Sequence, residues 1–353
     1  MFFRRLLSLL TVLFCLPAGF AEAEKTVTVS FAGDVTLGSE EWLKDSPGNF
    51  HEFARDKGYG YFFANVKDLF EQDDLTIVNL EGVLSNSAAD ENKNKAYRFR
   101  GPTDYAKILT EGSVEACAIS NNHTKDFGSR GYDDTKEALE AENIGYFGNR
   151  DYWIFEKDGI RIAFFSFVST AYESYRQWTV EISEKLKKDG VNAIVYIYHG
   201  GNEYSKEHNW MQWNFARQVI GYRHGDLVIM HHPHVVQGVD VMQNRYIFYS
   251  LGNFCFGGNA QVRALQSMVV QADLHFSDDG EFLGQQARIY PAHIAATASQ
   301  DGDPSDFQPK LVTGEDARRV LELVQYDTAF ELGSFDEEAG CLVLPYLPAE
   351  TEE

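Results

Sequence analysis

At 353 residues, with 44% hydrophobic and 24% charged side chains, the chain has the composition of a globular protein long enough to bury a large core. Its formal charge of −22 argues against a general binder of nucleic acid or of anionic membranes, either of which needs a basic face.

The N-terminus comes first. Arg4 and Arg5 precede the apolar run "LLSLLTVLFCLPAGF", and "AEA" at Ala21 to Ala23 is a small-x-small cleavage signal. Residues 1–23 therefore read as a signal peptide, the run being shorter than the roughly 20 residues that a spanning helix needs. The mature protein is expected to be exported, periplasmic or extracellular, and to be membrane-tethered if the segment is not cleaved. Cleavage leaves Cys117, Cys255 and Cys341 with no C-x-x-C spacing, and the apolar surroundings of Cys117 and Cys255 read as those of buried thiols.

Six β-type runs follow: "TVTVSFAGD" (26–34), "LTIVNLEG" (75–82), "VEACAISNNH" (114–123), "AIVYIYHGG" (193–201), "DLVIMHHPH" (226–234) and "YIFYSLGNF" (246–254). Helix-type stretches lie between them at 129–142, 178–188 and 210–222. "WIFEKDGIRIAFFSF" (153–167) reads as a hairpin around Asp158-Gly159, and the stretch from 267 is hairpin-rich. The turn-forming 299–309 leads to a helix at 314–328. This is a mixed α/β pattern with a β-rich C-terminal half. Each of the six runs ends in residues with liganding or hydrogen-bonding chemistry: Asp34, Glu81, Asn122 with His123, His199, His232 with His234, and Asn253. Ligand sites in open α/β sheets lie outside the carboxyl ends of strands, so these ends are expected to converge on one cavity.

The stretch "HHPH" spends three of ten histidines in four positions. Pro233 biases His232 toward extended backbone, where residues two apart face the same way. On that geometry His232 and His234 point together as a pair of ligands and His231 faces away.

The pieces "AGDVTLG", "NLEG", "SNNHTKDFG", "HGGNEY", "HHPHVVQG" and "YSLGNFCF", in this order over residues 27 to 258, resemble the CapA/PgsA-type bacterial capsule synthesis family implicated in poly-γ-glutamate biosynthesis. That family is in turn similar to the calcineurin-type metallophosphoesterases. The resemblance implies an α/β fold with a helix-flanked β-sandwich; the domain is expected to span 24–298, with residues 299–353 packing on it as an extension with a frayed tail. It also implies a two-position metal centre: Asp34, the bridging Glu81 and His234 at the first position, and Glu81, Asn122, His199 and His232 at the second. His123 would be a non-ligand acid or phosphate contact. The phosphoesterase pattern places a histidine where this chain has Thr36, so one tight metal and one weak one are expected.

Carboxylate, amide and imidazole donors suit Mn, Fe or Zn. Such a centre polarises a phosphoryl or carbonyl oxygen and lowers the pKa of a bound water. Asp126 would orient His123 as a catalytic pair, or cap the helix before "FGSRGY". Arg98 and Arg100 share a face if extended and would clamp an anion, surface ion pairs being the alternative. Glu203 and Tyr204 would line the pocket or support His199, and Asn253 would contact substrate or serve a turn. Two function classes follow. One is an exported metal-dependent hydrolase acting on an anionic polymer or a phosphorylated small substrate. The other is a capsule assembly or export subunit with a structural or vestigial metal. There is no G-x-x-x-x-G-K-[ST] loop, so ATP-driven ligation would fall to a membrane-bound synthesis partner.

Overall fold

The computed structural model describes residues 24–350, and the leader expected at 1–23 lies outside the described residues. The chain opens with strand β1 (Glu24–Thr36), helices α1 (Phe50–Lys57) and α2 (Lys67–Phe70), and strands β2 (Leu75–Leu80), β3 (Val83–Leu84) and β4 (Arg100–Gly101). It continues through α3 (Ala106–Glu111), β5 (Ala116–Ala118), α4 (Gly128–Ala141), β6 (Gly145–Phe147), β7 (Trp153–Lys157) and β8 (Ile160–Val168). Then come α5 (Ser169–Lys188), β9 (Ala193–His199), α6 (Trp210–Tyr222), β10 (Leu227–His231), β11 (Val239–Met242), β12 (Arg245–Phe248) and β13 (Asn253–Phe256). The C-terminal part holds β14 (Gln266–Ser277), β15 (Phe282–His293), β16 (Lys310–Leu311), α7 (Gly314–Tyr326), β17 (Phe335–Asp336), β18 (Cys341–Val343) and β19 (Leu347–Pro348).

Local chemistry sets several of these boundaries. Asn49 caps α1 by accepting from the backbone amides of His51 and Glu52. Asn209 and Gln212 form a reciprocal capping box on α6. Asp158 and Gly159 both adopt positive φ, as a two-residue turn matching the strand twist requires, and so close the β7–β8 hairpin.

The strands form two main sheets. The first runs β17-β18-β15-β14-β1-β2-β5-β6, with β13 added to β1 and with β16 and β19 added to β15. The second runs β11-β12-β10-β9-β8-β7. Val29, Phe31 and Ile77 from the first sheet pack with Ile162, Phe164, Val195 and Ile229 from the second in one inner core. The outer face of the first sheet (Val78, Leu80, Cys117) is covered by Phe50, Ile108, Leu109 and Leu139 from α1, α3 and α4. The outer face of the second (Phe165, Tyr196, Met230) is covered by Leu186 of α5 and Phe215 and Val219 of α6. The result is the expected helix-flanked sandwich. Parallel strands buried on both faces are continuous apolar runs, and each such side chain contributes about 1.5–3 kcal/mol of burial.

Some elements differ from the sequence expectation. The run 246–254 is two strands: the chain leaves the second sheet after Phe248, turns, and enters the first sheet as β13, parallel to β1. The helix expected at 178–188 begins at Ser169, because its buried stripe of Tyr172, Thr179, Ser183 and Leu186 contains two small polar residues that disguise the apolar period. The C-terminal segment pairs with β15 through β16, β18 and β19, and Ala317, Val320 and Val324 of α7 join the inner core. Among the described residues no helix is long and apolar enough to cross a membrane. Cys117, Cys255 and Cys341 are buried and unbridged.

Candidate metal centre

The carboxyl ends of β1, β2, β5, β9 and β10 meet at one edge of the sandwich. Asp34 sits near the end of β1, and Glu81 directly follows β2. Asn122 and His123 lie in the turn between β5 and α4, while His199 and His231 are the last residues of β9 and β10. Glu81 is wholly buried, and neither of its carboxylate oxygens has a hydrogen-bond partner. An orphaned buried carboxylate costs on the order of 1–3 kcal/mol or more, so its surroundings identify what it serves.

Those surroundings divide into two donor sets. On the Oε1 side, His199 Nε2 lies 3.6 Å from Glu81, 2.8 Å from Asn122 Oδ1 and 3.1 Å from His232 Nδ1. On the Oε2 side, His234 Nδ1 lies 3.8 Å from Glu81 and 3.4 Å from Asp34 Oδ2. Two donors bonded at about 2.1 Å to one ion lie roughly 3.0–3.4 Å apart, so both sets have the spacing of ligands round a cation. Glu81 with His199 and His232, and Glu81 with Asp34 and His234, each bring one ligand atom per residue within 4.8 Å of the others, as do Glu203, His232 and His234. The residues present thus fit a divalent metal at two positions sharing Glu81.

Electrostatics agree with that geometry. Burial pushes the Glu81 carboxyl well above its ordinary range, against the pull of His234, and the neighbouring Asp34 charge adds to it. Burial acts the same way on Asp34, but the His231 and His234 imidazoles outweigh it and hold Asp34 well below the usual carboxylate range. Burial lowers His199 and His232, which favours the neutral imidazole that a metal needs. His234 is the exception: burial would lower it, yet the Glu81 and Asp34 charges lift it to about 10.

The histidine-rich loop departs from its expected geometry. Pro233 does not hold His232 extended; His232 takes φ 99 and His234 φ 58, conformations that L side chains rarely adopt. The loop is held by neighbours, with the Tyr204 amide donating to the Pro233 carbonyl at 2.8 Å. His231 does not face away. It ends β10 with Nδ1 at 3.3 Å from Asp34 Oδ1, opposite the oxygen that faces the first position. Asn79 donates to the same Oδ1 at 2.8 Å and so orients the Asp34 carboxylate from behind, with the His231 ring packed beside it.

His123 stands beside the donor sets, its Nε2 at 3.7 Å from Glu81 Oε1 and its Nδ1 at 2.6 Å from Asp126 Oδ2. The side chain of Asp126 does not cap α4; it also accepts from the Phe99 amide at 2.8 Å and pairs with Lys95, whose ammonium further donates to the Asn122 carbonyl. Burial keeps His123 below its ordinary pKa, with Asp126 opposing.

Glu203 is exposed at the rim, and Tyr204 stands between the His234 ring (6.0 Å) and the Arg263 guanidinium (4.5 Å). Arg98 and Arg100 are not the expected anion clamp. Arg98 pairs with Glu91 at 2.9 Å and with the Lys95 and Ala96 carbonyls, and Arg100 pairs with Glu41 and the Ser85 carbonyl. In so acidic a chain, local carboxylates take both guanidiniums and use them to fasten the 85–100 loop. Asn253 is neither a turn residue nor at the rim; it is buried at the start of β13 with Oδ1 at 2.8 Å from His234 Nδ1.

Asn79, His231 and Lys95 were missed in the sequence. Asn79 had a signal, since it stands two positions before Glu81 in a strand and faces the same way. Lys95 had none, because it reaches the site from an irregular loop.

The chain is similar to known proteins over most of its length. The chain is 25% identical over 338 residues to the capsule biosynthesis protein CapA of Bacillus anthracis, covering 89% of this chain and 76% of that protein. It is 25% identical over 293 residues to the PGA biosynthesis protein CapA of Bacillus subtilis (strain 168), covering 75% and 74%. A solved calcineurin-like phosphoesterase, YfkN from Bacillus subtilis, superposes over 86% of this chain and 98% of its own with 13% identity and a TM-score of 0.47. The model of the bacterial capsule synthesis protein family PGA_cap matches residues 28–258, the segment that contributes every donor described above, and the chain belongs to that family.

Proposed function

We propose that this protein is an exported, metal-dependent hydrolase of phosphoesterase type that acts in capsule or poly-γ-glutamate synthesis or processing. The observation that carries this reading is Glu81: a wholly buried carboxylate whose two unpartnered oxygens face two separate sets of ligand-type atoms. A bound divalent ion (Mn, Fe or Zn) would supply charge against a phosphoryl or carbonyl oxygen and a bound water of lowered pKa. The remaining work falls to this chain's own groups. Asp126 holds His123 Nδ1–H, which leaves Nε2 directed to the site. An anionic substrate arriving beside Nε2 favours the imidazolium, which can then protonate a leaving group. Arg263, stacked on Tyr204 at the rim, offers a cation to an anionic polymer or a phosphorylated small substrate. Membrane-bound synthesis partners would supply the energy for any ligation, and the leader at 1–23 would place the protein outside the cytoplasm.

One observation favours a second reading, a non-catalytic assembly subunit with a structural metal. The Thr36 hydroxyl donates to the Glu81 carbonyl at 2.8 Å and so offers nothing to the first position. The test is metal content of the purified protein, with hydrolysis of a generic phosphodiester and of γ-glutamyl polymer. The hydrolase reading expects bound metal and a turnover that falls about 10²–10⁴-fold in His123→Ala with metal content unchanged. Bound metal with no hydrolysis of either class gives the assembly reading.

A further inference from the structure

The geometry points to Asn253 as the missing ligand of the first metal position, its amide oxygen standing where a histidine at position 36 would otherwise contribute. This rests on the metal-centre reading above. Three acceptors crowd one nitrogen: Asn253 Oδ1 at 2.8 Å, Asp34 Oδ2 at 3.4 Å and Glu81 Oε2 at 3.8 Å from His234 Nδ1. A single N–H can satisfy one of them. A cation bound at their centre satisfies all three and the imidazole lone pair, and the separations bracket the roughly 3.0–3.4 Å expected between donors on one ion.

The backbone places Asn253 for this role. It is the direct register partner of Asp34 across the parallel β1–β13 pair, so both side chains leave neighbouring strands side by side. Its carbonyl accepts from Ser267 Oγ, and the Asp34 amide donates to the Gly252 carbonyl at 2.9 Å. With Asn253 counted, each position has four protein ligands: Asp34, Glu81, His234 and Asn253 at one, Glu81, Asn122, His199 and His232 at the other. An amide oxygen thus serves both positions, and the expectation of one tight and one weak metal gives way to two comparable ones.

The experiment is Zn²⁺ titration by calorimetry of the stripped full-length protein, with an anomalous-scattering crystal structure of the loaded form. Two ions per chain are expected, with Asn253 Oδ1 at about 2.2 Å from the one beside His234. Asn253→Ala should keep the ion beside His199 and His232 and weaken the other at least tenfold, and Asn253→Asp, nearly isosteric, should keep two. Should the alanine variant fail to fold, the aspartate variant and the wild-type structure still decide. Two ions with Asn253 Oδ1 outside bonding range, or a single ion in wild type beside His199, would overturn the assignment while leaving the metal centre standing. No metal at all would instead remove the metal-centre reading.

Discussion

Glu81 carries a burial cost that His234 offsets in part and that a bound cation would offset further. A buried carboxylate without a hydrogen-bond partner weighs against the metal-free fold by about 1–3 kcal/mol. Glu81→Gln keeps the volume and removes the charge. It should strip both positions of metal, measured as metal per chain, and raise the metal-free thermal midpoint by an amount worth about 1 kcal/mol; a lower midpoint would show that the carboxylate is satisfied by another group. At this scale the sequence was legible where side-chain chemistry is rare and local. Asp34, Glu81, Asn122, His199, His232 and His234 all lie at the edge expected of them. Arg98 and Arg100 were not readable, because whether a guanidinium is free depends on which carboxylates fold against it, and Glu41 and Glu91 come from outside their strand.

At the scale of elements, the close approach of β1 to the turn before β13 sets the first metal position. A Cβ at Gly33 would stand 2.2 Å from the Gly252 carbonyl oxygen, a backbone atom that cannot step aside. Gly33→Ala should therefore push β13 from β1, cost about 3 kcal/mol or more by thermal unfolding, and weaken the metal bound by Asp34 and Asn253 more than the other. This junction was hidden in the sequence, since "YIFYSLGNF" reads as one strand and nothing local shows that the chain changes sheets inside it. Helix α1 carries a second consequence. His51 accepts or donates at Tyr105 Oη (2.8 Å) and Ser39 Oγ (3.1 Å), and burial, helped by Arg100, lowers it to about 4 from 6.5. The unfolded chain thus binds a proton that the folded one refuses. The stability this contributes is present above pH 6.5 and is lost as pH falls from there toward 4. Between pH 7 and 4 the metal-free protein should lose about 2 kcal/mol more than His51→Gln, after allowance for partial exposure, in denaturant titrations at each pH. Equal losses would place the acid sensitivity elsewhere.

On the scale of the whole molecule, the apolar runs and turn chemistry were enough to foresee a mixed α/β chain with a β-rich C-terminal half, because burial periodicity is written into each segment; the two layers of strand between helices were foreseen only through the family resemblance. Which strand joins which sheet was not, because pairing across long crossovers leaves no local mark. The donor sets draw on both sheets: Asp34, Glu81 and Asn253 are carried by the first, His199 by the second, and His232 and His234 by the loop leaving it. Saturating metal should then raise the thermal midpoint, by an amount worth about 2.7 kcal/mol at one hundred times the dissociation constant, and chelation should reverse it. Amide exchange should quicken on chelation at the ends of β1, β2, β9 and β10 before it does at the far edge of the sheets; a uniform change would show that the ions do not join the layers locally. The bridged margin works like the stitched spine of a book. With the stitches in, the two leaves would open only together; with them drawn, they would part from that side and expose it to a protease. On this reading, metal supply would govern how long a molecule survives.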